Sequence, residues 1–392
     1  MSNGKSRPRV IVAGYLVRFP LGGYVWQALH YLLGFEKLGC EVYFYEDSAF
    51  YADAYDPQAG DVGPRYDYGI GRLQDILGRF GLAERWVFWD AGRDVHHGLS
   101  SQQADEVFAS ADLFVNLAGV NRLGSRPRPP ARAFVDFDPG VTQINYENRS
   151  PHIEDLLGEH NLFFTVGENI GTPRSPLPTG GVAWRPTRPP VVCDLWQSTT
   201  RPLSAPFTTI GRWDEAARDL ELRGVRYHWR KSLEWRKFFD LPRRTGERFE
   251  MAMDVGRVPQ DEKTLREAGW QIRSPLEVSL DYEGYRRYIQ GSKGEFSAAK
   301  GMNIELCSGW FSDRSVCYLA AGRPVVLQDT GFPDLLPTGR GLFAVRGIDD
   351  AVQAVGTICQ DYPAQSAAAR EIARECFDAP RVLRRILEAA GL

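Results

Sequence analysis

The chain has 392 residues, of which 43% are hydrophobic and 25% charged, and this length allows two α/β domains that each bury a core. The formal net charge of -3 excludes an overall basic field that would attract a nucleic-acid backbone. The six cysteines are dispersed, without a C-x-x-C pair or a cluster with histidines, so we expect neither a disulfide framework nor a zinc site.

The cysteine usage and the apolar runs also bear on location. Dispersed, unpaired cysteines are typical of a reducing compartment, so we expect a cytoplasmic protein. No apolar run approaches the roughly 18 residues that a membrane helix needs. The sequence therefore predicts no membrane span.

The first part of the chain alternates strand and helix patterns. Gly22 and Gly23 lie between the first predicted strand and a helix over residues 24–38, which indicates a glycine loop that a ligand can approach closely. They lack the G-x-G-x-x-G spacing of a dinucleotide site. Further strands are predicted at residues 41–46, 112–117, 133–138 and 162–166.

Two carboxylates follow predicted strands of this first part. Asp138 precedes Pro139-Gly140, and Glu168 lies inside a glycine-flanked loop, so both are expected at the carboxyl edge of the sheet, where ligands bind. Either is a candidate general base. Either could instead cap a helix or fix a loop.

The composition then changes, with eight prolines between residues 173 and 206. Proline restricts the backbone and removes a hydrogen-bond donor, which favours an extended connection. We predict a first domain at residues 1–190, a linker at 191–206 and a second domain at 207–392. The second domain opens with a strand that ends at Gly211-Arg212. Residues 227–239 mix bases with aromatics, which predicts an amphipathic helix or, alternatively, an acceptor or nucleic-acid surface.

Residues 309–332 are the most informative part of the sequence. A loop ends at a helix start where Ser312 or Asp313 can cap, and the free N–H groups of such a start suit an anion. Gly322-Arg323-Pro324 ends this helix. A buried strand at 325–327 follows, and then a polar loop of Asp329, Thr330 and Gly331 at its carboxyl end. A generic Rossmann-like βα unit would have the same pattern.

This order of loop, helix, GRPVV strand and DTG loop resembles the donor half of GT-B glycosyltransferases, especially the family 4-like group (glycosyl transferases group 1). Those enzymes carry two glutamates eight positions apart, where this chain has Gly309 and Cys317. The departure makes this a divergent member and suggests that Asp313 and Arg314 do a related job from a shifted position. The resemblance implies an α/β fold of two Rossmann-like domains facing a cleft.

The resemblance also implies glycosyl transfer from a nucleoside-diphosphate sugar. The donor would be held by Arg212, Lys300 and the helix start with Ser312, Asp313, Arg314 and Ser315, while Asp329, Thr330 and Gly331 would approach the sugar or acceptor. Lys231 competes with Lys300 for the role of the diphosphate lysine. Asp136 and Asp138 have D-x-D spacing but lie in the first domain, so we predict no metal and no cofactor besides the donor.

The acceptor stays open: a small molecule, a glycan, a lipid carrier, a protein or a modified DNA base. Inverting members of this fold class place a carboxylate or histidine from the first domain at the acceptor, whereas retaining members have no such group. Two alternatives stay open for the activity. One is a nucleotide-sugar epimerase of the same fold, and the other is a non-catalytic protein that binds a nucleotide.

Overall fold

The computed structural model describes residues 7–57, 60–197, 203–215 and 218–392. Its first half alternates strands and helices in the predicted order. The elements are β1 (Arg9–Ala13), α1 (Gly22–Lys37), β2 (Glu41–Asp47), β3 (Ala54–Asp56), β4 (Asp61–Gly63), α2 (Asp67–Arg79), β5 (Trp86–Asp90), β6 (Val95–Gly98), α3 (Ser101–Ser110), β7 (Leu113–Leu117), β8 (Ala131–Asp136), α4 (Val141–Glu147), α5 (Pro151–Gly158), β9 (Leu162–Thr165) and β10 (Trp184–Pro186).

The strands of this half form a sheet in the order β10-β9-β8-β7-β1-β2-β5-β6. Every neighbouring pair is parallel except β5 and β6, and the short strands β3 and β4 form a separate hairpin. The central strands are buried on both faces because helices cover both sides, which explains their continuous apolar runs. The loops that follow β1, β2, β7, β8 and β9 consequently share one edge of the sheet.

The second half adds a six-stranded sheet. Its elements are β11 (Phe207–Gly211), β12 (Leu220–Leu222), β13 (Val225–Tyr227), α6 (Ser232–Trp235), α7 (Leu241–Thr245), β14 (Phe249–Met253), α8 (Pro259–Glu267), β15 (Trp270–Arg273), α9 (Pro275–Ser279), α10 (Tyr282–Gly291), β16 (Gly294–Ser297), α11 (Gly301–Glu305), α12 (Asp313–Ala320), β17 (Val325–Gln328), β18 (Leu342–Val345), α13 (Ile348–Gln360), α14 (Tyr362–Ile372) and α15 (Ala379–Ala389).

The strand order β15-β14-β11-β16-β17-β18 with every pair parallel is the Rossmann order. Aromatic side chains fill one side of the sheet, where Trp235, Phe249 and Phe296 have no exposed surface. The predicted α/β architecture of two Rossmann-like sheets is confirmed. No helix within the described ranges is both long and apolar enough to cross a bilayer.

The last strand of the first sheet ends at Pro186, and the first strand of the second sheet begins at Phe207. Residues 198–202 of the predicted linker at 191–206 lie outside the described residues, and the domain boundaries stay a prediction. The two halves pack closely, because α1 contacts both α10 and α15. The indole Nε1 of Trp26 in α1 donates to the carbonyl of Tyr282 in α10 at 2.8 Å.

The predicted helix over residues 227–239 is only partly correct. Tyr227 ends a hairpin of β12 and β13, and helical structure starts at Ser232. The hairpin forms an arm that reaches the first domain, where the Asn148 amide donates to the Glu221 carbonyl at 2.7 Å. Leu222 of the arm is buried in a cluster that contains Ile144 of α4. The arm therefore connects the two domains beside the loop that carries Asp138.

Candidate active site in the interdomain cleft

Asp138 lies at the predicted position beyond the end of β8. Asp136, at the end of the strand, is buried and accepts hydrogen bonds from the side chains of Thr142, Gln143 and Thr165. Burial raises the pKa of the Asp136 carboxyl to about 6. Asp136 in turn accepts from the backbone N–H of Asp138 at 3.2 Å. Asp136 therefore shapes the loop, and Asp138 projects beyond it with 45% of its side chain exposed.

Asp138 faces the second domain across the cleft. Its Oδ1 is 2.7 Å from the Nζ of Lys300, which forms an ion pair between the two domains. The Lys300 ammonium also lies 3.0 Å from the ring centroid of Trp229, a cation–π contact. Lys300 is thus held by an aromatic ring and a carboxylate at once.

Lys231 lies near Lys300 and Arg314 in the second domain, and no described carboxylate forms an ion pair with it. Burial, reinforced by the positive charges of Arg314 and Lys300, lowers the pKa of its ammonium to about 7. A desolvated cation beside other cations gains strongly from an anionic ligand. Of these two lysines, Lys300 is held in an ion pair and Lys231 has none with a described carboxylate.

Arg212 follows β11, as predicted, and 57% of its side chain is exposed. Its guanidinium forms a 3.3 Å contact with Glu215. Its charge also acts on Tyr24 of the first domain. Arg212 therefore lies beyond the carboxyl end of β11 with more than half of its side chain exposed.

The start of α12 lies on the same side of the cleft, in the second domain. Ser312 is the N-cap residue and is 3% exposed, but its side chain makes no capping hydrogen bond. The Ser315 hydroxyl is buried without a hydrogen-bond partner among the described residues. Asp313 accepts from the amide of Gln27 in α1 at 3.1 Å, and burial raises the pKa of its carboxyl. The positive end of a helix dipole and two hydroxyls are thus present where an anion was predicted.

Arg314 has a different role from the one that the sequence predicted. Its Nε donates to Glu295 at 2.6 Å, its Nη2 to the Ser297 hydroxyl at 2.8 Å, and its Nη1 to the Ile210 carbonyl. The residue is 9% exposed, and burial leaves its hydrogen bonds inside the protein. Arg314 joins the ends of β11 and β16 to α12, so it stabilises this side of the cleft and its guanidinium is engaged within the protein.

Glu168 also differs from its predicted role as a base. Its carboxylate accepts from Arg188 Nε at 2.7 Å, and Arg188 donates further to the Leu335 carbonyl at 3.0 Å. The neighbouring Asn169 amide donates to the carbonyls of Cys307 and Gly331 in the second domain. The loop that carries Glu168 therefore connects the two domains by hydrogen bonds, and the Glu168 carboxylate is engaged in an ion pair.

The loop of Asp329, Thr330 and Gly331 is likewise occupied by internal contacts. Asp329 Oδ1 accepts from the N–H of Gly331 at 2.8 Å and closes a turn, and the Thr330 hydroxyl donates to the Trp310 carbonyl at 2.6 Å. Gly331 has φ 93°, and a Cβ there would lie 2.6 Å from the Asn169 amide nitrogen. This loop supports residues 308–312 and does not present its side chains to a sugar.

Gly22 and Gly23 lie at the cleft, but the close approach is made by protein. Gly22 begins α1, and a Cβ there would lie 2.5 Å from the Cβ of Tyr285 in α10. Glycine at this position thus lets the two domains touch. Gly23 lines a small cavity with Gln27 and Asp313, next to the start of α12.

Two tyrosines that the sequence reading did not single out lie in the same cleft. The rings of Tyr15, after β1, and Tyr24, in α1, are 4.5 Å apart. Burial raises the pKa of the Tyr15 hydroxyl, and the charges of Asp138 and Asp313 raise the pKa of both hydroxyls. Both therefore remain hydrogen-bond donors at neutral pH. Only their positions in the loop beside Gly22 and Gly23 could have indicated them.

No protein-family model and no curated protein sequence matches the chain. A solved α-glucosyltransferase in complex with UDP and a DNA 13-mer containing an HMU base is 11% identical, covers 99% of this chain and 100% of its own, and has a TM-score of 0.60. The complex with UDP-glucose and DNA containing an abasic site is 12% identical, with coverages of 98% and 99% and a TM-score of 0.58.

A third solved structure comes from another organism. A glycosyltransferase from Rickettsia africae ESF-5 is 11% identical, covers 98% of each chain and has a TM-score of 0.52. These identities are too low to carry an activity across, whereas the coverage extends over both domains. The chain therefore has the two-domain GT-B fold of glycosyltransferases.

Proposed function

We propose that this chain transfers a sugar from a nucleoside-diphosphate sugar to an acceptor hydroxyl. The observation that carries the proposal is the composition of the cleft. Arg212, Lys231, Lys300 and the start of α12 approach it from the second domain, and the half-exposed carboxylate of Asp138 lies opposite. Cations on one wall and a carboxylate on the other suit a reaction that expels a diphosphate and deprotonates an alcohol.

The donor diphosphate would lie between Arg212, Lys231 and the start of α12. Charge-assisted hydrogen bonds strengthen as negative charge grows on the leaving group, so these contacts stabilise the transition state more than the bound donor. Asp313 would contact a hydroxyl of the sugar.

We infer that a divalent metal is not needed, since the cations supply the neutralising charge. Among the described residues, no three His, Cys, Asp or Glu side chains come together as a metal-ligand group. Turnover in excess EDTA tests the inference. Loss of activity in EDTA that is rescued by Mn²⁺ or Mg²⁺ would contradict it.

Asp138 would take the proton from the acceptor if the reaction inverts the anomeric configuration. Lys300 holds one carboxylate oxygen and so orients the group toward the cleft. If the configuration is retained, no protein base is required, and Asp138 instead positions Lys300. The anomer of the product distinguishes the two cases.

The acceptor class is open in this proposal. Solved structures of similar fold contain DNA, which makes a modified base one candidate beside a small molecule, a glycan, a lipid carrier or a protein. All six cysteines are free, which supports the proposed cytoplasmic location.

The test begins with a panel of nucleoside diphosphates and their sugars, monitored by thermal shift and calorimetry, and continues with measurement of nucleoside-diphosphate release. We expect saturable binding of at least one nucleotide sugar and release of its diphosphate. Lys231→Ala should weaken binding at least tenfold. Lys263→Ala, at an exposed lysine of α8, is the control that should not.

The other outcomes have separate meanings. Interconversion of two nucleotide sugars without release would show an epimerase, and binding without turnover would show a non-catalytic protein. Absence of binding to the whole panel would contradict the proposal.

A further inference from the structure

The exposed aromatic side chains of this protein are concentrated at one place. Within the described residues, the exposed aromatics are Tyr24, Phe50 and Tyr51, at 37%, 38% and 49%. Phe50 and Tyr51 follow β2, and Tyr24 lies at the start of α1 after β1. All three are at the edge of the first sheet that also carries Asp138. Aromatic surface left in water at the edge of a candidate active site indicates a ligand that covers it.

Phe50, Tyr51 and His152 form a defined aromatic platform. Phe50 stacks on His152 with ring centroids 3.8 Å apart and planes 2° from parallel, and Tyr51 stands perpendicular to Phe50 at 4.3 Å. Arg122 bonds His152 Nδ1 at 2.7 Å and lies 4.7 Å from the Phe50 ring. The rings thus hold fixed relative orientations although they face solvent.

The backbone beneath the platform is anchored to the core. The buried Arg18 donates to the Tyr51 carbonyl at 3.2 Å and pairs with the buried Glu46 at 2.9 Å. Asn121, next to Arg122, donates to the Gly14 carbonyl at 2.7 Å, directly before Tyr15. The platform is therefore continuous with the loop that lies beside Asp138 in the cleft.

The platform carries no excess of positive charge. The charges of three carboxylates, Asp47, Asp155 and Glu159, act on Arg122, and its backbone N–H donates to Asp47 at 2.8 Å. Burial beside Arg122 lowers the pKa of His152, which is neutral at physiological pH. A polyanion gains affinity from an excess of cations, whereas three carboxylates act on the one arginine of this platform. Flat aromatic faces without excess positive charge suit sugar rings, which stack on them through C–H groups.

We propose that the platform binds an uncharged oligosaccharide acceptor, which extends from Asp138 along this edge to Phe50 and Tyr51. The proposal rests on the proposed transfer reaction and adds the acceptor class. Three strand spacings separate β8 from β2, a distance of about 14 Å. This distance exceeds one sugar ring, so the acceptor has several residues, with one hydroxyl at Asp138 and a remote ring on the platform.

The test measures ligand binding independently of turnover. Cellopentaose, maltopentaose, xylopentaose and mannopentaose are the neutral probes, and a single-stranded and a double-stranded DNA 13-mer are the anionic probes, each followed by saturation-transfer NMR and titration. We expect at least one neutral pentasaccharide to bind. Replacing both Phe50 and Tyr51 by Ser should weaken it about tenfold or more. Val95→Ser, an exposed apolar residue on β6, is the matched control.

Calorimetry with UDP and UDP-glucose and the melting temperature are recorded for each variant. Unchanged donor affinity and melting temperature, together with weaker glycan binding in the double variant alone, support the proposal. The proposal is overturned if the wild type binds no neutral pentasaccharide, if it binds only DNA, or if the double variant binds the glycan like the wild type. Glycan binding without any nucleotide-sugar binding would contradict the proposed transfer reaction but support the glycan site.

Discussion

The affinity for a nucleotide sugar should fall as the pH rises, because Lys231 carries its charge only below a pKa of about 7. The bound diphosphate favours the ammonium form and raises this pKa in the complex, so donor binding takes up a proton. Affinity is therefore flat below the free-enzyme pKa and falls above it. From pH 6 to pH 8.5 the protonated fraction in the free enzyme drops from about 0.9 to about 0.03, so Kd should rise by up to about 30-fold.

Isothermal titration with UDP-glucose at pH 6, 7, 8 and 8.5 measures this effect, since the diphosphate of a nucleotide sugar does not titrate in that range. Parallel runs in buffers of different ionisation enthalpy count the protons taken up. Lys231→Arg keeps the charge without the titration and should bind with a flat profile. Lys231→Gln should bind weakly, also without a slope. A wild-type slope that persists in both variants would show that another group titrates and refute the reasoning.

Three further predictions concern the walls of the cleft. Arg314→Met leaves Glu295 buried without its partner, so it should cost about 3 to 5 kcal/mol of unfolding free energy in urea titrations. Adding Glu295→Gln should recover part of this loss. Unchanged stability together with weaker donor binding would instead indicate that Arg314 contacts the donor directly. Asp138→Asn should reduce turnover about 10²- to 10⁴-fold with donor affinity little changed, whereas near-full turnover favours a retaining reaction. Gly22→Ala should lower the melting temperature, because the new Cβ would meet the Cβ of Tyr285, and equal melting curves would contradict the close domain contact.

The fold could be predicted because its signals are local. Buried parallel strands appear as short apolar runs, and glycine and proline mark where helices end, so both sheets could be placed from the sequence. Asp138 was found by the same logic, as a carboxylate just beyond a strand. Its contact with Lys300 joins residues 162 positions apart and leaves no local trace.

Side-chain roles were harder to predict because they depend on partners. Arg314 and Asp329 have types and positions that suit ligand binding, but Glu295 and a local turn already engage them. The sequence alone could not rank Lys231 above Lys300. A hairpin separates Arg212 from Lys231 along the chain, so their proximity in space does not show in the sequence. The partner of a charged group, more than its type, decides whether it is free to bind.

The arm formed by β12 and β13 limits how this enzyme fold can move. The two domains are held together by the contact of the arm with α4, by the hydrogen bonds of Asn169 and by the packing of α1. These contacts extend across the loops of several adjacent strands. A wide hinge opening would have to break all of them together. A ligand would then have to enter and leave the cleft without such an opening.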